Sequence, residues 1–271
     1  MISNIDKGTA LVTGASSGIG AIYADRLAKA GYDLILVARE ADRLRKMADR
    51  LTTATKRSVE TIAADLTKPA DLAKIEDTLK TDSSITMLVN NAGFGGASTL
   101  LESDVNKMTQ MIDLNVTALT RLTYAAVPGF VARGKGTLVN ISSIAAIAPE
   151  LLNGVYGGTK AYVMTFTRSL HHELADKGIR VQAVLPGATA TEFWNVAGMP
   201  VSNLPQGIVM SAENMVDAAL AGLEQGELFT IPSLPSKADL DAYEKAREVL
   251  MPNLSLATPA ERYDIRKSAI A

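Results

Sequence analysis

A tyrosine and a lysine four residues apart, Tyr156 and Lys160, are the residues whose types and spacing fit acid–base chemistry best. They lie at the start of an amphipathic stretch, and side chains four positions apart share one face of a helix. A free phenol has a pKa of about 10 and is a weak acid or base at neutral pH. A nearby lysine ammonium stabilises the phenolate and lowers that pKa. The pair therefore predicts proton transfer, although a surface tyrosine stacked over a lysine stem has the same spacing.

A glycine-rich turn near the N-terminus is typical of phosphate binding. Residues 13–20 read Thr-Gly-Ala-Ser-Ser-Gly-Ile-Gly and lie between a short apolar run and an amphipathic stretch. Unpaired backbone NH groups and the dipole at a helix start stabilise a phosphate, and glycines let the backbone approach it closely. The spacing is a variant of the dinucleotide-binding fingerprint. A tight turn without a ligand is the alternative interpretation.

Two neighbouring serines, Ser142 and Ser143, directly follow another short apolar run. If this run is a strand of a parallel sheet, the serines lie at the sheet edge where ligands of α/β proteins bind. Ordinary turn chemistry explains serines at this position equally well.

The scaffold that must position these residues is predicted by short apolar runs that alternate with longer amphipathic stretches. Several of the runs are continuously apolar, as strands buried on both faces should be. The predicted strands are Thr9–Thr13, Leu34–Ala38, Val59–Ala63, Met87–Asn90, Thr137–Ile141, Val181–Leu185 and Leu228–Ile231. The predicted helices are Ile19–Ala30, Glu40–Thr52, Pro69–Lys80, Ser103–Arg133, Tyr156–Lys177 and Ala212–Gln225.

This alternation predicts a Rossmann-like, doubly wound α/β fold. Right-handed crossovers would give one seven-stranded parallel sheet with helices on both faces. The stretch Ser103–Arg133 is long enough to be two helices or one bent helix. Because no repeat or flexible linker interrupts the pattern, we expect residues 1–271 to form a single domain.

Two segments depart from the alternation. Residues 191–210 show no firm period, and irregular segments of this length are often functional, so we expect a substrate lid. Its aromatic pair, Phe193 and Trp194, would cover a substrate or simply pack. From about residue 232 to 271 we expect a C-terminal helical extension with two short helices, Lys237–Leu250 and Pro259–Ser268.

Composition excludes several function classes. The 271 residues include no cysteine and only two histidines, His171 and His172, so disulfides, thiolate metal sites and a histidine-rich metal centre are not expected. The 27 basic and 29 acidic residues are interspersed, which predicts neither a nucleic-acid nor a membrane partner. The sequence has no secretion signal and no run of about 18 apolar residues. We therefore expect a cytoplasmic enzyme without a metal.

Together these features resemble the short-chain dehydrogenase/reductase family over nearly the whole chain. The family pattern is matched in chain order by the glycine turn, Asp65-Leu66, Asn90-Asn91-Ala92-Gly93, Asn115, Ser143, Tyr156, Lys160 and Pro186-Gly187. The family's catalytic serine precedes its tyrosine by the separation found here between Ser143 and Tyr156. This spacing selects Ser143 over Ser142.

The resemblance implies hydride transfer between the nicotinamide C4 and a carbonyl or alcohol carbon. Tyr156 would exchange the proton with the substrate oxygen, and Ser143 would stabilise charge on that oxygen by a hydrogen bond. Lys160 would bind the nicotinamide ribose and lower the tyrosine pKa. Asn115 would hold a water in a proton relay. A buried asparagine that bridges a helix kink is the alternative role of Asn115.

The resemblance also implies a set of coenzyme-binding residues. Asp65 and Leu66 would flank the adenine, Asn91 would support the ribose side, and Thr191 would cap the nicotinamide carboxamide. The whole set is Gly14, Ser16, Ser17, Gly18, Ile19, Gly20, Arg39, Asp65, Leu66, Asn91, Ala92, Gly93, Tyr156, Lys160, Pro186, Gly187, Thr189 and Thr191.

Arg39 decides which coenzyme the sequence predicts. NAD-preferring members of the family carry an acid at the end of the second strand, where this chain has Ala38 followed by Arg39. A guanidinium holds a 2′-phosphate, and an acid would repel it. The sequence therefore predicts NADP(H). The alternative is a solvated Arg39 paired with Glu40 or Asp42.

The sequence thus predicts an NADP(H)-dependent reductase of a neutral ketone or aldehyde, or an alcohol dehydrogenase. An NAD-linked hydroxyl dehydrogenase and a non-catalytic dinucleotide-binding regulator are the alternatives. The family resemblance and an apolar stripe on the Tyr156 helix predict a homotetramer, or else a dimer. That stripe is Ala161, Met164, Phe166, Leu170 and Leu174. Between Tyr156 and Lys160 many family members have Ala-Ser, but this chain has Gly157-Gly158, which either loosen the helix start or make room for substrate.

Overall fold

The structure, a computed structural model, describes residues 7–263. The chain divides between Pro232 and Ser233 into two compact units. The first carries all the predicted site residues, and the second contains the C-terminal helix. The sequence predicts one domain whose C-terminal extension begins at about residue 232, and the division between the two units falls at that point.

Seven parallel strands form the central sheet of the first unit, as predicted. Their order across the sheet is β3-β2-β1-β4-β5-β6-β9. The strands are β1 Thr9–Thr13, β2 Asp33–Ala38, β3 Val59–Ala63, β4 Ile85–Asn90, β5 Gly136–Ile141, β6 Ile179–Val184 and β9 Phe229–Thr230. The order reverses between β1 and β4, which opens a crevice at the carboxyl ends of these two strands.

Helices cover both faces of this sheet, again as predicted. They are α1 Gly18–Lys29, α2 Ala41–Thr55, α3 Pro69–Thr81, α4 Val105–Ile112, α5 Leu119–Ala132, α6 Gly154–Leu174, α7 Phe193–Val196 and α8 Ala212–Glu224. Alternate residues of one strand reach opposite faces. Val12 of β1 joins a core with α1, α2 and α8, whereas Leu11 joins a core with α3, α5 and α6. The fold is therefore a Rossmann-like doubly wound α/β fold.

The long stretch 103–133 is two helices joined by a π-helical turn. Helix α4 ends at Ile112, the turn spans Asp113–Ala118, and α5 begins at Leu119. π-Helical turns in proteins occur frequently at functional sites because the extra residue re-aims a side chain. Here the turn carries Asn115.

The irregular segment 191–210 has more local structure than its sequence predicts. It contains the short helix α7 and two 3₁₀ turns. A two-stranded parallel sheet frames it, formed by β7 Thr189–Ala190 and β8 Met210–Ser211. Two-residue strands leave too short a pattern to be found by periodicity. The role of this segment as a lid stays a prediction.

In the second unit the one helix of at least eight residues, among the residues described, is α9, Lys237–Leu250. It has the predicted bounds, and none of its residues is buried. Of the second predicted helix, Pro259–Ser268, only a 3₁₀ turn at Glu261–Tyr263 lies within the described residues.

The apolar stripe on α6 is largely used within the chain. Met164, Leu170 and Leu174 are buried against the first unit's own core, so they offer no surface to a partner. Phe166 is half-buried and stacks with Tyr162 and with the exposed Tyr124 of α5. Apart from this aromatic group, the stripe therefore does not supply the exposed apolar surface that the sequence predicted for α6. Both histidines at the end of α6 are exposed.

Between residues 7 and 263, no helix is both long and apolar enough to cross a bilayer. The same residues contain no cluster of three or more histidine, aspartate or glutamate side chains arranged to hold a metal.

Candidate active site

The glycine turn connects β1 to α1 in a conformation that only glycine adopts without strain. Gly14 and Gly18 have φ values of +65° and +53°. Gly20 lets the first turn of α1 lie close to the Gly14 carbonyl, because a Cβ at residue 20 would lie 2.3 Å from that oxygen. The turn therefore leaves the backbone NH groups at the start of α1 open to a phosphate, as the sequence predicts. Ser16, Ser17 and Ile19 of this turn are all half-buried.

Thr13 holds the two sides of the crevice together. Its buried hydroxyl accepts hydrogen bonds from the backbone NH groups of Asn91 and Ala92, both at 3.0 Å. The amide of Asn91 donates in turn to the carbonyls of Thr13, at 2.9 Å, and Gly14, at 3.2 Å. The side chain of Asn91 thus fixes the glycine turn, and its contact with the coenzyme ribose stays a prediction.

Arg39 lies at the end of β2 with its side chain exposed. The acids that the sequence offered as its partners bind other residues: Glu40 pairs with Arg43 at 2.8 Å, and Asp42 pairs with Arg45 at 3.6 Å. Within residues 7–263, Arg39 forms no ion pair shorter than 4.0 Å. Its guanidinium is therefore open to an anion.

Asp65 follows β3 beside Arg39, next to the buried Leu66. Partial burial acts to raise the pKa of the Asp65 carboxyl. Hydrogen bonds from Thr67 and the charge of Arg39 outweigh this effect, so the pKa is lowered. Asp65 is a carboxylate at neutral pH, with the Thr67 hydroxyl at 2.7 Å. The binding of an adenine beside Asp65 and Leu66 stays a prediction.

The two serines after β5 face different groups. Ser142 donates to the backbone carbonyl of Lys160 at 2.8 Å and so fixes α6 to the sheet. Ser143 forms a hydrogen bond with the Tyr156 phenol, and its oxygen also accepts from the backbone NH of Ala145 at 3.1 Å. The geometry therefore favours Ser143 as the serine that acts with the tyrosine.

Tyr156 and Lys160 are both buried in the first turns of α6. Burial raises the pKa of Tyr156 to about 12, although the hydrogen bond with Ser143 acts to lower it. Burial lowers the pKa of Lys160 to about 8. The lysine Nζ donates to the carbonyl of Ile141 at 2.8 Å and lies 5.8 Å from the centroid of the phenol ring. Ser143 acts to lower the phenol pKa in this geometry, and the effect of Lys160 on that pKa stays a prediction.

Asn115 projects from the π-helical turn into the space between the loop after β4 and helix α6. Its side chain exchanges two hydrogen bonds with the backbone of Phe94, at 3.1 and 2.9 Å, and donates to Thr159 at 3.2 Å. A Cβ at Gly93 would lie 2.9 Å from Asn115 Oδ1 and 3.6 Å from Lys160 Nζ. The buried asparagine thus fixes the loop after β4 beside Lys160. This role is close to the alternative that the sequence left open, a buried asparagine that bridges a helix kink. The water relay stays a prediction.

The two glycines between Tyr156 and Lys160 are not equivalent. A Cβ at Gly157 would lie 2.8 Å from Pro149 Cβ and 3.3 Å from the Ala145 carbonyl oxygen, whereas a Cβ at Gly158 would have no atom within 4 Å. The space at Gly157 is therefore filled by Pro149 and is not available to a substrate. This packing holds the loop after Ser143 against the catalytic helix.

Asn153, which the sequence analysis missed, caps that helix. Its Oδ1 accepts from the Val155 NH at 2.9 Å, and its Nδ2 donates to the Ser98 carbonyl at 2.7 Å and to Ser103 at 3.0 Å. An asparagine just before a helical pattern is a standard N-cap indicator that was available in the sequence.

The remaining predicted residues are Pro186, Gly187, Thr189 and Thr191, which follow β6. Pro186 accepts from the Ile144 NH at 3.1 Å, which joins the loop after β6 to the loop after β5. Gly187 is half-buried, and its carbonyl accepts from the Thr189 hydroxyl at 3.1 Å. A Cβ at Gly18 would lie 3.2 Å from Thr191 Cγ2, so the start of the segment 191–210 passes over the glycine turn.

An aromatic contact and an ion pair connect this segment to the rest of the site. The ring centroids of Phe193 and Tyr156 are 5.7 Å apart. Trp194 is buried, and its Nε1 donates to the Thr189 carbonyl at 2.9 Å, so it packs as the alternative interpretation held. Glu192 pairs with Arg43 of α2 at 2.9 Å.

Comparison with known proteins bears on this geometry. Residues 8–199 match the family model for short chain dehydrogenase. A short-chain dehydrogenase from Sphingobium yanoikuyae in complex with NADPH is 47% identical, with a TM-score of 0.92 over 94% of this chain and 99% of that one. A bulky-bulky ketone specific alcohol dehydrogenase from Comamonas testosteroni is 43% identical, with a TM-score of 0.88 over 95% and 99%. The very-long-chain 3-oxoacyl-CoA reductase of Rattus norvegicus is 35% identical over 78% of this chain and 67% of that protein.

The doubly wound fold, the glycine turn and the grouped serine, tyrosine and lysine define an oxidoreductase with a nicotinamide dinucleotide coenzyme. The chain belongs to the short-chain dehydrogenase family, as its sequence resemblance indicated.

Proposed function

We propose that the protein reduces a neutral, apolar ketone or aldehyde with NADPH, and oxidises the corresponding alcohol in reverse. The observation that carries the proposal is the contact between Ser143 and Tyr156 beside an apolar cluster. That cluster comprises Met108, Met111, Ala145, Phe94, Leu152, Val155 and Phe193. These apolar side chains beside the two hydroxyls favour a substrate whose carbonyl carries apolar substituents, because an unpaired charge placed against them would lose its hydration. The name of the Comamonas protein agrees with a ketone substrate, and the Sphingobium protein was solved in complex with NADPH.

The coenzyme fits the residues present. The positive φ of Gly14 and Gly18 and the close approach at Gly20 leave room for a pyrophosphate at the start of α1. Arg39 would hold the 2′-phosphate of NADPH, because Glu40 and Asp42 pair with Arg43 and Arg45 and leave the Arg39 guanidinium exposed. When bound, the reduced nicotinamide supplies the hydride that reduces the carbonyl carbon.

Tyr156 supplies the proton for the carbonyl oxygen. Burial raises its pKa to about 12, so the phenol holds at neutral pH the proton that reduction requires, and the hydrogen bond with Ser143 opposes that rise. Ser143 donates a hydrogen bond to the same oxygen and stabilises the negative charge that develops there. Lys160 holds the nicotinamide ribose and Asn115 fixes the loop that borders it. In alcohol oxidation the ionised form of Tyr156 would accept the proton.

Assembly and location belong to the same proposal. We expect a homotetramer, with a dimer as the second choice, and a cytoplasmic location. The group that favours self-association is the exposed Tyr124 with Phe166 and Tyr162, together with Val105 and Ile112 of α4. Light scattering at micromolar concentration tests this, and a monomer would contradict it.

Oxidation of NADPH and NADH with a panel of ketones and aldehydes, and reduction of NADP+ and NAD+ with the corresponding alcohols, test the reaction. Tyr156→Phe should lower kcat at least about 10²-fold while coenzyme affinity is kept, because the phenylalanine cannot donate a proton. Arg39→Ala should weaken NADPH by about 10-fold or more and leave NADH unchanged, because only NADPH carries the extra phosphate. Arg50→Ala, at an exposed arginine of α2, is the matched control. Near wild-type turnover in Tyr156→Phe would rule out the proposed chemistry, and equal losses for both coenzymes in Arg39→Ala would favour the NAD-linked alternative.

A further inference from the structure

Phe193, at the first position of α7, lies directly against the catalytic tyrosine. The two rings are tilted by 52° with centroids 5.7 Å apart, and Phe193 is half-buried in this contact. Only 5% of Tyr156 is exposed. The phenylalanine ring therefore takes up space next to the phenol that any substrate has to approach.

Gly95 makes this contact possible from the other side. A Cβ at Gly95 would lie 2.4 Å from Phe193 Cζ and 3.2 Å from Tyr156 Cε2. Heavy atoms do not approach to 2.4 Å without a bond, so Phe193 occupies the position that any larger residue at 95 would fill. Gly95, Tyr156 and Phe193 thus enclose one small volume beside the apolar cluster.

The backbone around Phe193 is fixed on both sides, whereas its ring is not. On one side Glu192 pairs with Arg43 at 2.9 Å. On the other side Trp194 is buried, donates to the Thr189 carbonyl, and contacts the Phe193 ring edge-on at 5.5 Å. Phe193 itself has no polar anchor on its side chain. Rotation of this ring is therefore a smaller change than movement of the whole segment.

We propose that Phe193 is the specificity-determining residue that sets the size of the second substituent on the ketone. This inference rests on the proposed ketone reduction. The carbonyl oxygen has to reach the hydroxyls of Tyr156 and Ser143, so one substituent points toward the volume beside Gly95. A methyl group fits while the ring stays in place, but a propyl or butyl group requires the ring to rotate away.

The test compares acetophenone with butyrophenone, which differ only in that substituent, by NADPH oxidation with the purified full-length protein. Phe193→Ala should raise the ratio of kcat/KM for butyrophenone to that for acetophenone by about 10-fold or more, since one methylene in an apolar pocket is worth 10–200-fold. Gly95→Ala adds a methyl group to the volume that the substituent would enter, so it should change the ratio in the opposite direction. The KM for NADPH should stay within about twofold, because neither change touches the proposed phosphate or ribose contacts.

Val196→Ala is the matched control, because Val196 lies on the same short helix with 54% of its surface exposed. It should leave the ratio unchanged. Phe193→Leu should give an intermediate ratio and replaces the alanine variant if that one does not fold. If the wild-type protein reduces both ketones and Phe193→Ala shifts the ratio no more than Val196→Ala, the inference is wrong and the proposed function stands. If no ketone is reduced by any of these proteins, the proposed function fails and this inference fails with it.

Discussion

The two glycines of the catalytic helix allow a test in which one variant is the control for the other. Gly157 and Gly158 are adjacent, both lie inside α6, and neither has a positive φ. Alanine at either position should gain about 1 kcal/mol of unfolding free energy from helix propensity alone. Comparison of Gly157→Ala with Gly158→Ala therefore cancels this gain and isolates the contact of residue 157 with Pro149.

That contact determines the expected difference. The new methyl group would lie 2.8 Å from Pro149 Cβ and 3.0 Å from Pro149 Cα, so the loop or the helix has to move. Overpacking of this kind costs about 1–3 kcal/mol. Gly158→Ala meets no atom within 4 Å and should be more stable than the wild type by about 1 kcal/mol. Gly157→Ala should then be less stable than Gly158→Ala by about 1–3 kcal/mol, or at least about 2 °C in Tm for a chain of this size.

Urea denaturation of the coenzyme-free protein measures the difference, and kcat reports its effect on the site. Because Pro149 belongs to the loop that follows Ser143, Gly157→Ala should also lower kcat, whereas Gly158→Ala should not. Equal stability and equal turnover in both variants would refute the argument. The loop would then yield to the methyl group without cost, and the glycine at 157 would have no packing role.

Three further predictions follow from buried groups and from the segment 191–210. Because the pKa of Lys160 falls from 10.5 to about 8 on folding, the unfolded state binds more protons between these values, and stability should rise with pH there. Lys160→Met has no group that titrates at this position, so its unfolding free energy should exceed that of the wild type most at pH 8. Urea titrations should show this difference shrink by up to about 3 kcal/mol between pH 8 and 10.5. A constant difference would contradict the prediction. The buried hydroxyl of Tyr23 has no hydrogen-bond partner among residues 7–263, so Tyr23→Phe should be more stable by about 1 kcal/mol, whereas Tyr162→Phe, which loses a bond to Thr120, should not. Hydrogen exchange of residues 191–210 should be fast without coenzyme and slower with NADPH, while α8 stays unchanged; equal protection in both states would indicate a static wall.

Local patterns in the sequence predict the sheet and the grouping of the site. Strands such as β1, with Leu11 and Val12 on opposite faces, are continuously apolar because both faces of the sheet are covered. Residues after the strands, such as Arg39 and Ser143, gather at one edge because the strands are parallel. For this reason the fold and the positions of the site residues follow from the sequence.

Contacts between distant segments are not predictable in this way. Arg43 and Glu192 are 149 residues apart, and nothing near either one indicates the pair. The same holds for Phe193 on Tyr156, because this contact depends on how α7 meets α6. The surface available on α6 was overestimated for the same reason, since Met164 and Leu174 are covered by the chain's own core.

The hydrogen bonds of Thr13 have a consequence for how the enzyme can change over evolution. One hydroxyl joins the ends of β1 and β4, so the floor of the crevice, where the coenzyme chemistry takes place, is a single rigid piece. The roof, residues 191–210, contacts that floor through side chains such as Thr191 and Phe193. None of these hydrogen bonds involves residues 191–210. Substitutions in the roof therefore leave the junction between β1 and β4 intact, and the two parts of the site can change separately.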